Sequence, residues 1–180
     1  MRPEMHTLQD QRLTALGTAD IKTLALRFDI DADAVAPVIT AYAVQSERQP
    51  LGLITKIRTF TSSVATSGTQ EIDNLPKGTF EKGIRIAALH AFKADITKVE
   101  LDLDSRKVFE LPKAVAENVQ KKYNRAPLTA KASHLDFALE GDIVQSITTA
   151  QIQDLRLKLD HTAAGSTDLV VEYLEGLDGI

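Results

Sequence analysis

Two stretches of this sequence repeat one another without a gap. Residues 18–43 (TADIKTLALRFDIDADAVAPVITAYA) align with residues 149–174 (TAQIQDLRLKLDHTAAGSTDLVVEYL). Thr18/Thr149, Ala19/Ala150, Ile21/Ile152, Leu24/Leu155, Leu26/Leu157, Asp29/Asp160, Ala32/Ala163 and Tyr42/Tyr173 are identical. Arg27/Lys158, Phe28/Leu159, Val38/Leu169 and Ile39/Val170 keep their character. Each copy reads as an alternating strand, an Asp-led turn, a loop of small residues and a second apolar strand with a Tyr near its end. Alternation of period two turns one apolar face of each strand inward. A fold built on this sequence must therefore use the same strand pair twice, which points to duplicated β-domains. The later copy follows a long run of other strands, whereas only 17 residues precede the earlier one. The expectation is that residues 1–48 are the C-terminal remnant of a first domain and that residues 51–177 are a complete second one. On that reading Met1 marks a late start or a fragment boundary. The strands at 22–28 and 38–44 would then be loosely ordered, or docked on another surface.

The intervening chain supplies further short strands. Residues 54–64 (ITKIRTFTSSV) alternate loosely, and 69–72 precede an LPKG turn signal. Residues 83–92 (GIRIAALHAF) fit a strand better than a helix, because Ile84, Ile86 and Ala88 alternate. Residues 98–103 (KVELDL) and 107–111 (KVFEL) predict a hairpin turning at Asp104-Ser105-Arg106, with Val99, Leu101 and Leu103 inward. More strands are expected at 135–139, 152–159 and 169–174, with 148–151 a turn or strand start. One helix is expected at 112–123. Pro112 suits a helix start, Ala114, Val115, Val119 and Tyr123 recur at helical spacing, and Asn124 and Pro127 end it. A weaker helical pattern covers 8–16. Many short strands with one inserted helix predict an all-β sandwich or barrel.

Chemistry is sparse. The chain has no Cys, so it has neither a disulfide framework nor a thiolate site. No apolar run approaches the ~20 residues of a membrane-spanning helix, and the first residues, MRPEMHTLQDQR, lack the apolar core of a signal peptide. A net charge of −4 argues against a dedicated nucleic-acid binder. His6, His90, His134 and His161 show no metal-ligand spacing, and His90 reads as a wall residue at the end of an apolar strand. No nucleophile elbow, P-loop or dinucleotide fingerprint occurs. Asp102 and Asp104 fall on the outward side of their strand, which predicts a solvated pair. Asp29, Asp31 and Asp33 open like a calcium loop, but Ala34 and Thr40 stand where an EF-hand needs Gly and Glu. A looser calcium site at these three carboxylates is the one cofactor suggested. Lys121, Lys122 and Arg125 form a basic patch at the helix end. Cations there suit the helix dipole, and contact with phospholipid headgroups is the sharper reading.

At RPEM (2–5), Gln11-Arg12, ALGT (15–18) and FDID (28–31) the sequence becomes recognisable. EIDNLP (71–76), RIAALH (85–90), Leu135 to Phe137, EGD (140–142), IQDLRLKLD (152–160) and VEY (171–173) continue the match. In this order and spacing the chain resembles the major capsid proteins of corticoviruses, the tailless, icosahedral, membrane-containing marine bacteriophages. The resemblance implies a double jelly roll whose trimers form pseudo-hexagonal capsomers. This chain looks like the terminal strands of a first roll, then a complete second roll with one inserted helix. It implies a structural shell subunit of a phage or prophage, made in the bacterial cytoplasm and residing in the virion. It also implies homotrimer and capsomer–capsomer contacts, contact with the viral membrane or its proteins, no specific nucleic acid, and no enzymatic role. Calcium gains some support, since it matters to that type of virus. The alternative is a free-standing jelly-roll module binding carbohydrate or a receptor. An aromatic content of 5% without Trp weighs against a sugar-stacking face.

Overall fold

The computed structural model describes residues 17–19, 21–43, 47–50, 52–128 and 130–176. The helical pattern at 8–16 lies outside the described residues. Nine strands and one helix follow in order: β1 (Ile54–Val64), β2 (Gly68–Ile72), β3 (Arg85–Phe92), β4 (Ile96–Leu103), β5 (Arg106–Pro112), α1 (Lys113–Lys122), β6 (Ser133–Asp136), β7 (Ile147–Thr148), β8 (Leu155–His161) and β9 (Gly165–Glu175). A single 3-10 turn at Ile143–Gln145 precedes β7.

The strands form two antiparallel sheets. One has the order β1-β9-β3-β6, with β7 added on β3, and the other has the order β2-β8-β4-β5. Consecutive strands mostly lie in opposite sheets, so the chain wraps around the core as it advances. With β6 and β7 sharing one place beside β3, this is the eight-stranded jelly roll, in which paired strands far apart in sequence fold over together. The inner faces meet in one core centred on Ile86, Leu89, Leu101, Leu135, Leu157, Leu169, Val171 and Tyr173. Alternation produces this directly, since Leu155, Leu157 and Leu159 of β8 all point inward and are fully buried.

Local chemistry sets the boundaries. β4 and β5 pair around Asp104 (φ +48°) and Ser105 (φ +63°), the two left-handed residues of a twist-matched hairpin turn. The Asp104 carboxylate accepts the backbone N–H groups of Gln153 (2.9 Å) and Asp154 (2.8 Å). With Gln151 at φ +62°, this keeps the chain out of strand geometry until Leu155, so β8 begins later than the expected 152. Likewise β6 ends at Asp136, short of the expected 139, where its carboxylate caps the N–H of Ala138 at 3.0 Å. A bulge between Ile86 and Ala88 turns Ala87 away from the main core into a small cluster with Ile143 and Leu174.

Three expectations are corrected. Residues 22–28, and 38–43 of the second expected strand, carry no sheet ladder, because among the described residues nothing lies alongside them to complete one. The helix forms where Pro112 starts it, but its packing face is not the apolar one. Ala116 and Gln120 are buried, whereas Val115 and Tyr123 are exposed. Gln120 Nε2 donates to the carbonyl of His134 at 2.8 Å, so a polar anchor decides how the helix is rotated. Finally, Asp102 is not solvated, because lysines from β5 and β8 close over the outer face of β4.

Candidate functional site

The outer face of the β2-β8-β4-β5 sheet is an ion lattice. Lys158 of β8 reaches Glu100 at 3.0 Å and Asp102 at 2.5 Å on β4. Lys107 of β5 reaches Glu100 at 3.0 Å and Glu110 at 2.7 Å. Lys98 bridges Glu110 (3.2 Å) and Asp160 (3.4 Å), while Arg156 ties Glu71 of β2 at 2.7 Å. Lys107 first, then Lys158, hold the Glu100 carboxyl down to about 2. A lattice spanning all four strands fixes their register. It leaves no carboxylate poised as an acid or base.

A small cavity of about 280 Å³ lies on the outer face of the other sheet, under residues 125–128. Strand pairing sets His90 of β3 directly against His134 of β6, and β9 brings Glu172 alongside. The Leu128 N–H donates to His134 Nε2 at 3.1 Å, which places the His134 proton on Nδ1. That proton faces His90 Nδ1 at 2.9 Å, and His90 Nε2–H then faces Glu172 Oε1 at 3.2 Å. Every donor in the chain meets one acceptor when both rings are neutral. Burial first, then the neighbouring His90 and Lys113, hold His134 down to about 4. Burial pushes the neighbouring Asp136 carboxyl up, and the hydrogen bond from His90 holds Glu172 down. The arrangement locks a wall, and it offers no nucleophile. Sequence spacing concealed it, because the three residues come from three strands. The alternation that turns Leu135 inward was the one available sign that His134 faces out.

A second, more open cavity of about 720 Å³ sits at the end of the roll, bordered by the start of β1, the β2–β3 loop and the end of β9. Arg58, Lys82 and Arg85 line it.

Asp29, Asp31 and Asp33 lie together on an exposed turn. The Asp33 N–H donates to Asp31 Oδ1 at 2.9 Å, the Ala34 N–H donates to the Asp31 carbonyl at 3.0 Å, and Arg27 stands 4.0 Å from Asp29. Among the described residues, no group of three or more His, Asp or Glu side chains is set to hold a metal ion. Lys121 and Lys122 occupy the last turn of α1, as the dipole favours. No described helix is long and apolar enough to cross a membrane.

The most conspicuous surface is the segment around that Asp turn. Leu24, Leu26, Phe28, Ile30, Val35, Val38, Ile39 and Tyr42 are all exposed, Val35 by 94% and Tyr42 by 93%. Large apolar side chains so concentrated mark an interaction surface.

Comparison with known proteins agrees with this geometry. Residues 54–177 match the family model for the viral coat protein P2 C-terminal domain, and residues 1–46 match the one for the viral coat protein P2 N-terminal domain. The major capsid protein P2 of Pseudoalteromonas phage PM2 is 38% identical over 181 residues, covering 97% of this chain. The chain spans 65% of that relative's length. The crystal structure of the major capsid protein P2 from bacteriophage PM2 superposes with a TM-score of 0.65 at 35% identity, over 73% of this chain and 48% of that one. The STIV MCP, at 11% identity, superposes with a TM-score of 0.54 over 69% of this chain and 42% of its own, a likeness of fold alone.

Proposed function

As the chain belongs to the viral coat protein P2 family, we propose that it is a capsid subunit of a membrane-containing tailless bacteriophage or prophage. On this reading it is a structural component of the virion shell without catalytic activity, assembled in the bacterial cytoplasm. Residues 51–177 form the second jelly roll, and residues 1–48 are the closing strands of a first. The observation that carries the reading is the unburied copy of the strand pair. Residues 22–28 and 38–43 hold the pattern that buries 155–161 and 165–175, yet they remain exposed. A surface of that kind is completed by other strands, whether from a sister chain or from another part of a double roll. Fused rolls let three chains present six similar corners, with each ring interface heterologous and closed by rotation. Trimers and capsomer–capsomer contacts are therefore the expected assemblies, with the viral membrane or its associated proteins as further contacts and no specific nucleic acid. Asp29, Asp31 and Asp33 are the residues we propose for weak calcium binding, on their alternating spacing in one exposed turn and the preference of a hard cation for carboxylate oxygens.

Electron microscopy and sedimentation of the full chain, alone and with calcium, test the proposal. Trimers or larger rings are the expected result. A strictly monomeric protein that binds a defined glycan through its loops would overturn it in favour of a carbohydrate-binding module.

A further inference from the structure

We propose that the end cavity of the second roll is a binding site for a phosphate-type oxyanion. Its volume of about 720 Å³ lies within the range of small-ligand sites. Arg58 comes from β1, Lys82 from the β2–β3 loop and Arg85 from the start of β3, so three separate elements bring three cations to one hollow. The carboxylate on its wall, Glu175, is already neutralised by Lys56 at 2.5 Å. Among the described residues, none of the three cations has a carboxylate within ion-pair distance. Arg85 has only the Ser146 hydroxyl at 3.3 Å, and Arg58 lies over the Tyr173 ring, 5.8 Å from its centroid. Cations gathered in a concave wall repel one another and focus a positive potential into the hollow, which an anion relieves. On the outer face of the other sheet, by contrast, Lys98, Lys107, Arg156 and Lys158 all meet carboxylates.

The wall is also built to hold its shape. Gly83, at φ +57°, passes so close to the chain after β7 that a Cβ would stand 2.1 Å from the Ala150 nitrogen. The Thr149 hydroxyl, fully buried, accepts the Ile84 N–H at 2.8 Å and donates to the Lys77 carbonyl at 2.6 Å. Two ends of the β2–β3 loop are thereby pinned around the hollow. Two guanidinium forks and one ammonium fit a group with several equivalent oxygens better than one carboxylate, because each fork takes two oxygens at once. The shared chemistry is a phosphoryl group, free in solution or carried on a lipid headgroup.

Calorimetry of the full chain with pyrophosphate tests this. Saturable binding that weakens with added salt is expected. Lys82→Gln and Arg85→Gln should each weaken it at least about tenfold, as the loss of one charge-assisted bond requires. Lys98→Gln on the opposite sheet should leave it unchanged, and thermal unfolding of each variant would establish that it is folded. Competition by vesicles of anionic phospholipid, absent with neutral vesicles, would identify the lipid source. No competition would identify the soluble one, and both results uphold the site. No saturable binding at millimolar pyrophosphate would overturn the proposal. So would binding only to an acidic peptide such as residues 28–34.

Discussion

Residues 18–43 and 149–174 share a pattern and differ in almost every physical circumstance. Leu24 and Leu26 are 61% and 66% exposed, while their counterparts Leu155 and Leu157 are completely buried. Tyr42 stands in solvent and Tyr173 lies in the core. Asp29 faces Arg27 on an open turn, whereas Asp160 joins Lys98 and accepts from the Thr69 hydroxyl at 2.6 Å. The later copy has β2 and β4 on either side of its first strand and β1 and β3 on either side of its second. The earlier copy has no such neighbours among the described residues. Alternation therefore encodes which face would be buried, and only the flanking strands decide whether it is. The two strands of the later copy lie in opposite sheets, so neither can flank the other.

Truncating the matched leucines gives the sharpest separation. Leu157→Ala should cost ~2–5 kcal/mol through lost burial and the cavity it leaves. Leu26→Ala in the same full chain should fall within about 0.5 kcal/mol of the parent in denaturant unfolding. Equal losses would mean that the first copy is packed in solution after all. The matched threonines come next. Thr149→Val removes a buried hydroxyl that accepts the Ile84 N–H and gives its one proton to the Lys77 or the Ile84 carbonyl, and should cost about 1–3 kcal/mol. Thr18→Val should leave the midpoint where it is. The smallest contrast compares Lys158→Gln with Arg27→Gln. Glu100 is depressed from 4.5 to about 2, so its contribution is complete above pH 4.5 and is lost as pH falls toward 2. Lys158→Gln lessens that depression, lowering neutral-pH stability slightly and flattening the acid-side decline. Arg27→Gln should leave the curve of stability against pH superimposable on the parent's. A steepened decline in the Lys158 variant would contradict the lattice described for Glu100.

Much of the jelly roll was legible because its signals are local. The β4–β5 hairpin follows from clean alternation closed by two residues that tolerate left-handed geometry. The helix start follows from Pro112, and the inward faces of β8 and β9 follow from their leucines. What escaped depends on register between distant strands. Asp102 looked solvated because only the β4–β8 and β4–β5 pairings bring Lys158 and Lys107 over its side of the strand. The chain of His134, His90 and Glu172 requires β3, β6 and β9 to be aligned before any contact exists. The rotation of α1 was missed because Gln120, a polar residue, is its anchor. The end cavity draws on residues between positions 53 and 176, a span that no motif covers.

β1, with 11 residues, is the outermost strand of its sheet, and its outer edge has no partner among the described residues. Such an edge invites uncontrolled polymerisation through the backbone. Its inward side carries Lys56 and Arg58, half-buried beside Glu175 and Tyr173. A foreign strand zipping onto the edge would strip more water from both charges, and each step of growth would meet that electrostatic penalty. Charges tucked beneath a long edge thus act as a brake on fibre formation. They leave the backbone edge free while making each added strand unfavourable.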